Sequence, residues 1–405
     1  RPKNTITKPR PSNRNSAAGI CSAEQLRYAV TMTDSSTSQD PISRPWLVSY
    51  PPGMPAEISL GDRNNLADLL NEGFRAYADR PAFENMGSTL TYAELDRLSA
   101  QFGAWLQDQG LEAGDRVALM MPNLLQYPIA MFGVLRAGLV VVNTNPLYTA
   151  RELQHQLSDS GARAIVILEN FAHVLEKVIG QTDIQHTIVT GAGDMLKGPK
   201  RHIVNAAVRY IKRDVPAFKL PGAVGFGEVH NAGSRLELSP ARREHEDLAF
   251  LQYTGGTTGL AKGAMLSHRN VLSNVEQSAA WIGAVGFERE TIITALPLYH
   301  VFALTANCMV FFKIGGLNRL ISNPRDTKGF VKELQKAPFT AITGVNTLFN
   351  ALLNTPGFER TDFSGLKFTL GGGMAVQRAV AEKWKAVTGT TLIEAYGLTE
   401  TSPAA

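Results

Sequence analysis

The sequence predicts an α/β fold resting on parallel sheets, and three observations predict it. Short apolar runs rich in β-branched residues recur, at 116–121, 139–143 and 164–168 among others. Segments of helical period lie between them, the alternation that a parallel sheet requires. Glycine-rich stretches stand where several strands end, which is where open α/β sheets bind ligands.

The elements follow in order. Residues 46–55 are an aromatic and proline-rich lead-in. Thr91 and Glu94 form a capping box, after which Leu95, Leu98, Phe102 and Leu106 repeat at helical spacing until Gly110. A strand over 116–121 ends at Pro122 and Asn123. A second helix over 124–137 closes at Gly138, and 139–143 is the next strand. Thr149 and Glu152 cap a third helix ending at Gly161, before a strand over 164–168. All of this half is explained as core, and pattern assigns it no chemistry. The second half continues with strands at 250–253, 291–296, 318–322, 339–343, 366–370 and 391–394, and a helix at 328–336.

Composition narrows the class. Of 405 residues, 44% are hydrophobic and 19% charged, as in a globular protein with a substantial core. Cys21 and Cys308 are the two cysteines, too few for a disulfide framework or a metal-ligand spacing, so a reducing cytoplasm is expected. No apolar run reaches the length of a membrane span. Residues 1–45 are polar, without periodicity, and read as a disordered or non-native extension; Met32 offers a second start. Residues 1–31 carry +5 and residues 195–219 carry +6. Taking both from the chain's +4 leaves −7 on the rest. An acidic body argues against nucleic-acid binding despite the high pI.

The basic excess is local. On a helix over 200–213, Ile203, Val204, Ala207, Val208 and Ile211 share one face, and Arg201, Arg209, Lys212 and Arg213 the other. Such a helix packs on its own domain or lies on an anionic membrane surface.

The chemistry gathers at a few loops. Residues 253–263 hold four glycines and three threonines, with Lys262 near the end. Glycine lets backbone N–H groups crowd an anion, threonine adds donors, and lysine adds charge: the makings of a triphosphate cradle. It differs from a P-loop, where lysine directly follows glycine; the alternative is a mobile surface loop. His300, between aromatic residues where the 291–296 strand ends, is a gate, a proton carrier or a packed histidine. Gly371, Gly372 and Gly373 let something flat lie on the backbone, or make a tight turn. After the last strand, Tyr396 can stack on a base, Thr399 can donate to a phosphate, and Glu400 is a hard oxygen ligand for Mg²⁺. Together these describe an ATP–Mg²⁺ site.

The glycine loop, the Pro-Leu-Tyr-His-Val-Phe segment at 297–302, the triple glycine and the Tyr-Gly-Leu-Thr-Glu run at 396–400 resemble the adenylate-forming superfamily. The likeness covers about 46–403 and is strongest to bacterial long-chain fatty acid–CoA ligases, in segments such as 142–152 and 341–349. It implies activation of a long-chain fatty acid by ATP to an acyl-adenylate, then transfer to coenzyme A. It implies that Thr254, Gly255, Gly256, Thr257, Thr258, Gly259 and Lys262 hold the β- and γ-phosphates. It places Gly371, Gly372 and Gly373 near the adenine and acyl head, with Tyr396 and Gly397 at the adenine and Thr399 on the α-phosphate. Glu400 and Thr254 would hold Mg²⁺, His300 would stand at the acyl gate, and Gly344 and Val345 would line the acyl pocket. Lys262, His300, Thr399 and Glu400 are the expected catalytic set. A fatty acyl-AMP ligase or medium-chain synthetase is the alternative enzyme, and a nucleotide- or acyl-binding module the alternative outside catalysis.

The likeness also implies a large N-terminal domain alone at 46–405. The family's smaller C-terminal domain, with its catalytic lysine, does not appear in this sequence, so the chain as it stands is expected to be inactive or severely impaired. Gly255 replaces a serine common in relatives, which keeps the backbone nest. An apolar substrate tilts residues 197–219 toward peripheral contact with the inner membrane's cytoplasmic face. A homodimer is a further expectation.

Overall fold

The computed structural model describes residues 44–255, 260–284, 286–287 and 289–405. The expected extension up to residue 43, and Gly256, Thr257, Thr258 and Gly259, lie outside the described residues. Residues up to Pro52 form a unit of their own, described from residue 44, with one 3₁₀ turn at Pro45–Ser49.

The unit from Gly53 to Ala405 opens with helix α1 (Leu66–Tyr77), which the sequence reading missed. A hairpin of β1 (Pro81–Asn85) and β2 (Ser88–Thr91) follows, then α2 (Tyr92–Asp108), β3 (Arg116–Met120), α3 (Gln126–Arg136), β4 (Val140–Asn143), α4 (Ala150–Ser160) and β5 (Ala162–Leu168). The boxes expected at Thr91 and Thr149 are both closed: each threonine accepts from the N–H three residues on, and Glu94 and Glu152 reach back. A cap of this kind contributes about 1 kcal/mol. Next come α5 (Ala172–Glu176), β6 (His186–Thr190), α6 (Lys200–Ala206), β7 (Val224–Gly225) and α7 (Phe226–Gly233). The chain continues through β8 (Leu248–Thr254), β9 (Lys262–Ser267), α8 (His268–Ala284), β10 (Thr291–Thr294), α9 (Val310–Lys313), β11 (Leu317–Leu320) and α10 (Thr327–Leu334). It ends with β12 (Ala341–Gly344), α11 (Asn346–Leu353), β13 (Phe368–Gly371), α12 (Arg378–Thr388) and β14 (Leu392–Glu394).

The strands form two seven-stranded sheets, in the orders β14-β13-β12-β10-β11-β1-β2 and β7-β6-β5-β3-β4-β8-β9. Pairing is parallel except at one edge of each, where β1–β2 and β8–β9 are antiparallel. Successive strand residues point to opposite faces, and here both faces are buried. Phe83, Ile292 and Leu320 of the first sheet share one core cluster with Val117, Val141 and Phe250 of the second. Their neighbours turn the other way: Ile293 and Ile342 pack with Phe349 and Trp384, while Ala118, Val142 and Ile165 pack with Leu157 and Leu175. This is the predicted α/β class.

Residues 200–211 are helical, with a π turn at Ala207–Ile211. The expected single apolar face is split. Val204 packs against the core, whereas Ile203 and Ile211 remain 63% and 80% exposed, beside Tyr210 at 71%. Arg209, expected on the solvated face, pairs with the buried carboxylate of Glu169.

Candidate functional site

The glycine loop is the connection of a β-hairpin. Thr254 ends β8 and Lys262 begins β9, and the two are cross-strand partners. Gly255 and Lys262 are exposed, and nothing lies within 4 Å of where a side chain on Gly255 would begin. The far arm leads directly into α8, where Ser267 and Asn270 cap each other: the Asn270 N–H donates to Ser267 Oγ at 3.2 Å and the Ser267 N–H to Asn270 Oδ1 at 2.9 Å.

The carboxyl ends of β12, β13 and β14 lie in register, Gly344 opposite Gly371 and Gly371 opposite Glu394. Gly372 N–H donates to Gly344 carbonyl at 3.1 Å. A Cβ on Gly373 would meet Val345 at 3.6 Å, so the triple glycine and the expected pocket-lining pair are adjacent. A Cβ on Gly372 would come 2.8 Å from the ring of Phe302, which brings the His300 segment to the same place.

His300 lies in a turn closed by its N–H donating to Pro297 carbonyl at 3.0 Å. Its Nδ1 accepts from the Phe302 N–H at 3.3 Å, which leaves the ring proton on Nε2. The residue is exposed overall, but partial desolvation of the imidazole lowers its pKa. Neutral imidazole is therefore the form present at neutral pH.

Beyond β14, Tyr396 is 73% exposed. Gly397 bridges Ala404 antiparallel, and Thr399–Thr401 forms a 3₁₀ turn that β9 contacts. Glu400 is exposed and lines a polar hollow of about 270 Å³ with Arg269, Asn270, Asn274 and Gln277 of α8. The two halves of the expected nucleotide site thus meet through β9 and α8. Thr254 and Glu400 each carry hard oxygen donors, the kind that Mg²⁺ takes. Among the described residues no group of three His, Cys, Asp or Glu side chains could hold a metal by itself.

Sequence reasoning missed a buried amide network behind the site. Gln252 and Asn143 face each other on β8 and β4. Gln252 Nε2 donates to Tyr299 carbonyl at 2.8 Å, and its Oε1 accepts from Asn143 Nδ2 at 2.9 Å. The Tyr127 hydroxyl bonds Asn143 Oδ1 and lies 2.9 Å from Leu298 carbonyl. Burial raises the Tyr127 pKa, keeping the phenol a donor. The signal in the sequence was two amides, Asn143 and Gln252, inside otherwise apolar strands.

The fold is of the α/β class with parallel sheets, and the comparisons identify its family. Residues 70–405 match the AMP-binding enzyme family, and the chain belongs to it. The long-chain-fatty-acid–CoA ligase of Escherichia coli O6:H1 is 57% identical over 360 residues, 88% of this chain and 64% of that protein. The chain therefore spans just under two thirds of that relative's length. Among solved structures, an anthranilate CoA ligase in complex with anthranoyl-AMP superposes with a TM-score of 0.73 at 21% identity, covering 86% of this chain and 63% of that one. A long-chain-fatty-acid-CoA ligase from Archaeoglobus fulgidus gives 0.68 at 22%, covering 88% and 66%.

Proposed function

We propose that this chain is the nucleotide- and acyl-binding part of an AMP-forming long-chain fatty acid–CoA ligase. The observation that carries the proposal is the 57% identity to such a ligase over 360 residues, 88% of the chain. In the first half-reaction a carboxylate oxygen of the fatty acid bonds to the α-phosphorus of ATP. The bond from that phosphorus to the bridging oxygen breaks, and pyrophosphate leaves. In the second, the thiolate of coenzyme A bonds to the acyl carbon, the carbon–oxygen bond breaks, and AMP leaves.

Positioning and charge neutralisation are what the first step demands. Lys262 and the backbone of the hairpin loop at 254–259 grip the β- and γ-phosphates. Thr399 donates to the α-phosphate. Tyr396, exposed beside the triple glycine, stacks on the adenine, with Gly397 setting the backbone behind it. Glu400 and Thr254 would hold Mg²⁺, which would neutralise phosphate charge. His300 turns its Nε2–H toward the acyl carboxylate. Being neutral, it orients that oxygen without trapping its negative charge. Gly344 and Val345 border the acyl head. Titration of ATP into the chain tests the reading: affinity should depend on Mg²⁺, and Glu400→Gln should remove most of that dependence. Binding that is absent, or indifferent to both, overturns it.

The long acyl substrate also favours peripheral contact with an anionic membrane through 197–219. The supporting observation is the exposed trio Ile203, Tyr210 and Ile211 beside exposed Lys212 and Arg213, an arrangement suited to interfacial insertion. Among the described residues no helix is long and apolar enough to cross a membrane. Lys212→Glu with Arg213→Glu should weaken co-flotation with phosphatidylglycerol vesicles; unchanged flotation removes the idea. Arg209 is unsuitable for that test because its loss strands Glu169. Cytoplasmic location and a homodimer belong to the same proposal.

A further inference from the structure

We propose that Gln252, Asn143 and Tyr127 are positioning residues, a bracket that holds the Leu298 and Tyr299 carbonyls, and with them His300, against the stem of the glycine loop. The inference rests on the adenylate-forming reading above for its functional meaning, but its geometry stands alone.

The two sides of the bracket are held very differently. Gln252 belongs to β8, which is fixed by ladder pairing to β4 on one side and β9 on the other. Residues 297–300 follow β10 as a turn and have no ladder. The Pro297 and His300 carbonyls accept from the N–H groups of His300 and Leu304, but those of Leu298 and Tyr299 need donors from elsewhere, because buried backbone oxygens are seldom left unpaired. Those at Leu298 and Tyr299 find them in side chains from the other sheet. Gln252 Nε2 reaches Tyr299 at 2.8 Å and Tyr127 Oη reaches Leu298 at 2.9 Å. Asn143 links the two, its Nδ2 donating to Gln252 and its Oδ1 sharing the single Tyr127 hydroxyl proton with the Leu298 carbonyl. Every amide is thereby fixed in one orientation, since a flip of Asn143 or Gln252 would set donor against donor or acceptor against acceptor. All three side chains are nearly inaccessible, at 0%, 3% and 4% for Tyr127, Asn143 and Gln252. Gln252 stands two residues before Thr254, and Tyr299 immediately before His300. The bracket thus ties the stem of the hairpin to the turn that carries His300, which Asn123 also holds by accepting from the Leu298 N–H at 2.8 Å.

The prediction is selective. Loss of the bracket should leave β8 and its hairpin in place while the His300 turn shifts. Gln252→Leu keeps the volume and removes both hydrogen bonds; Tyr127→Phe removes the donor at Leu298. A non-hydrolysable palmitoyl-adenylate analogue reads both sides of the site, and ATP reads the hairpin side. Each variant should bind the analogue about tenfold more weakly, with ATP affinity held within about twofold. In ¹³C-histidine spectra, with His300 assigned through His300→Gln, its resonance should move and its pKa rise. Gln126→Leu is the control: Gln126 is equally buried and donates to Thr190 and Gly191, away from the turn. It should lose stability without either effect. Equal loss of ATP and analogue affinity, or a His300 signal that stays in place, would overturn the proposal. If Gln252→Leu does not fold, Tyr127→Phe decides. If the parent chain binds neither ligand, the ligase reading fails, and the His300 resonance still decides the bracket.

Discussion

Gly372 lies so close to Phe302 that a single methyl group on it would stand 2.8 Å from the ring. That approach joins the triple glycine at the end of β13 to the turn that carries His300. Gly372→Ala must push Phe302 aside, and overpacking of this kind costs roughly 1–3 kcal/mol. The palmitoyl-adenylate analogue should bind at least about tenfold more weakly, and Phe302→Leu in the same chain should restore part of the loss. Isothermal titration of the single and double variants checks this.

Gly397 is tighter still. A Cβ there would sit 1.8 Å from the Pro403 carbonyl oxygen, which is backbone and cannot swing away. Gly397→Ala should break the bridge to Ala404 and displace Thr399 and Glu400 with it. Mg²⁺-dependent ATP binding should fall below detection while the melting temperature drops by only a few degrees, since the segment lies outside the three core clusters.

Two buried histidines set the acid limit of the fold. His230 packs edge-on to Phe226 with no hydrogen-bond partner at either ring nitrogen among the described residues, and burial lowers its pKa to about 4. His268 accepts from the Leu66 N–H through Nδ1, and burial, then Arg243, lowers it to about 4. The unfolded chain takes up these protons near pH 6.5, whereas the native chain refuses them until about 4. Stability is therefore complete above 6.5 and falls as pH drops through that window, by at most about 1.4 kcal/mol per pH unit for each histidine. Urea midpoints measured between pH 7 and 4.5 should show the slope, and His230→Leu should halve it.

The fold was legible where its causes are local. Thr91 with Glu94 and Thr149 with Glu152 announce helix starts because both partners lie within one turn of sequence. The missed helix α1 has the same device in a less obvious form, Asn65 with Asp68. The β1–β2 hairpin was hidden because Met86, at φ +50°, occupies a left-handed position usually given to Asn, Asp or Gly before Gly87. The candidate site motifs stand out in the sequence as glycine, threonine and acidic clusters. The amide bracket was not: Tyr127, Asn143, Gln252 and Tyr299 come together only through the order and register of the strands, which single residues do not announce. The split face of the 200–211 helix belongs to the same class, since Glu169, which claims Arg209, lies 40 residues away.

Arg209 gives a prediction of its own. Its partner Glu169 is only 5% exposed, so Arg209→Glu places two carboxylates together at a buried site. It should destabilise the chain, whereas Lys212→Glu, on an exposed side chain, should change the urea midpoint little. Equal effects would mean that the Arg209 pair contributes nothing.

The central claim is that the hairpin at 254–262, the His300 turn, the glycines at 371–373 and the run at 396–400 form one site for an acyl-adenylate. Titration of the palmitoyl-adenylate analogue into the chain tests it most directly. A single site is expected, from which ATP displaces the analogue competitively and which Gly397→Ala removes. Failure of the analogue to bind, or binding that neither ATP nor Gly397→Ala disturbs, would contradict it.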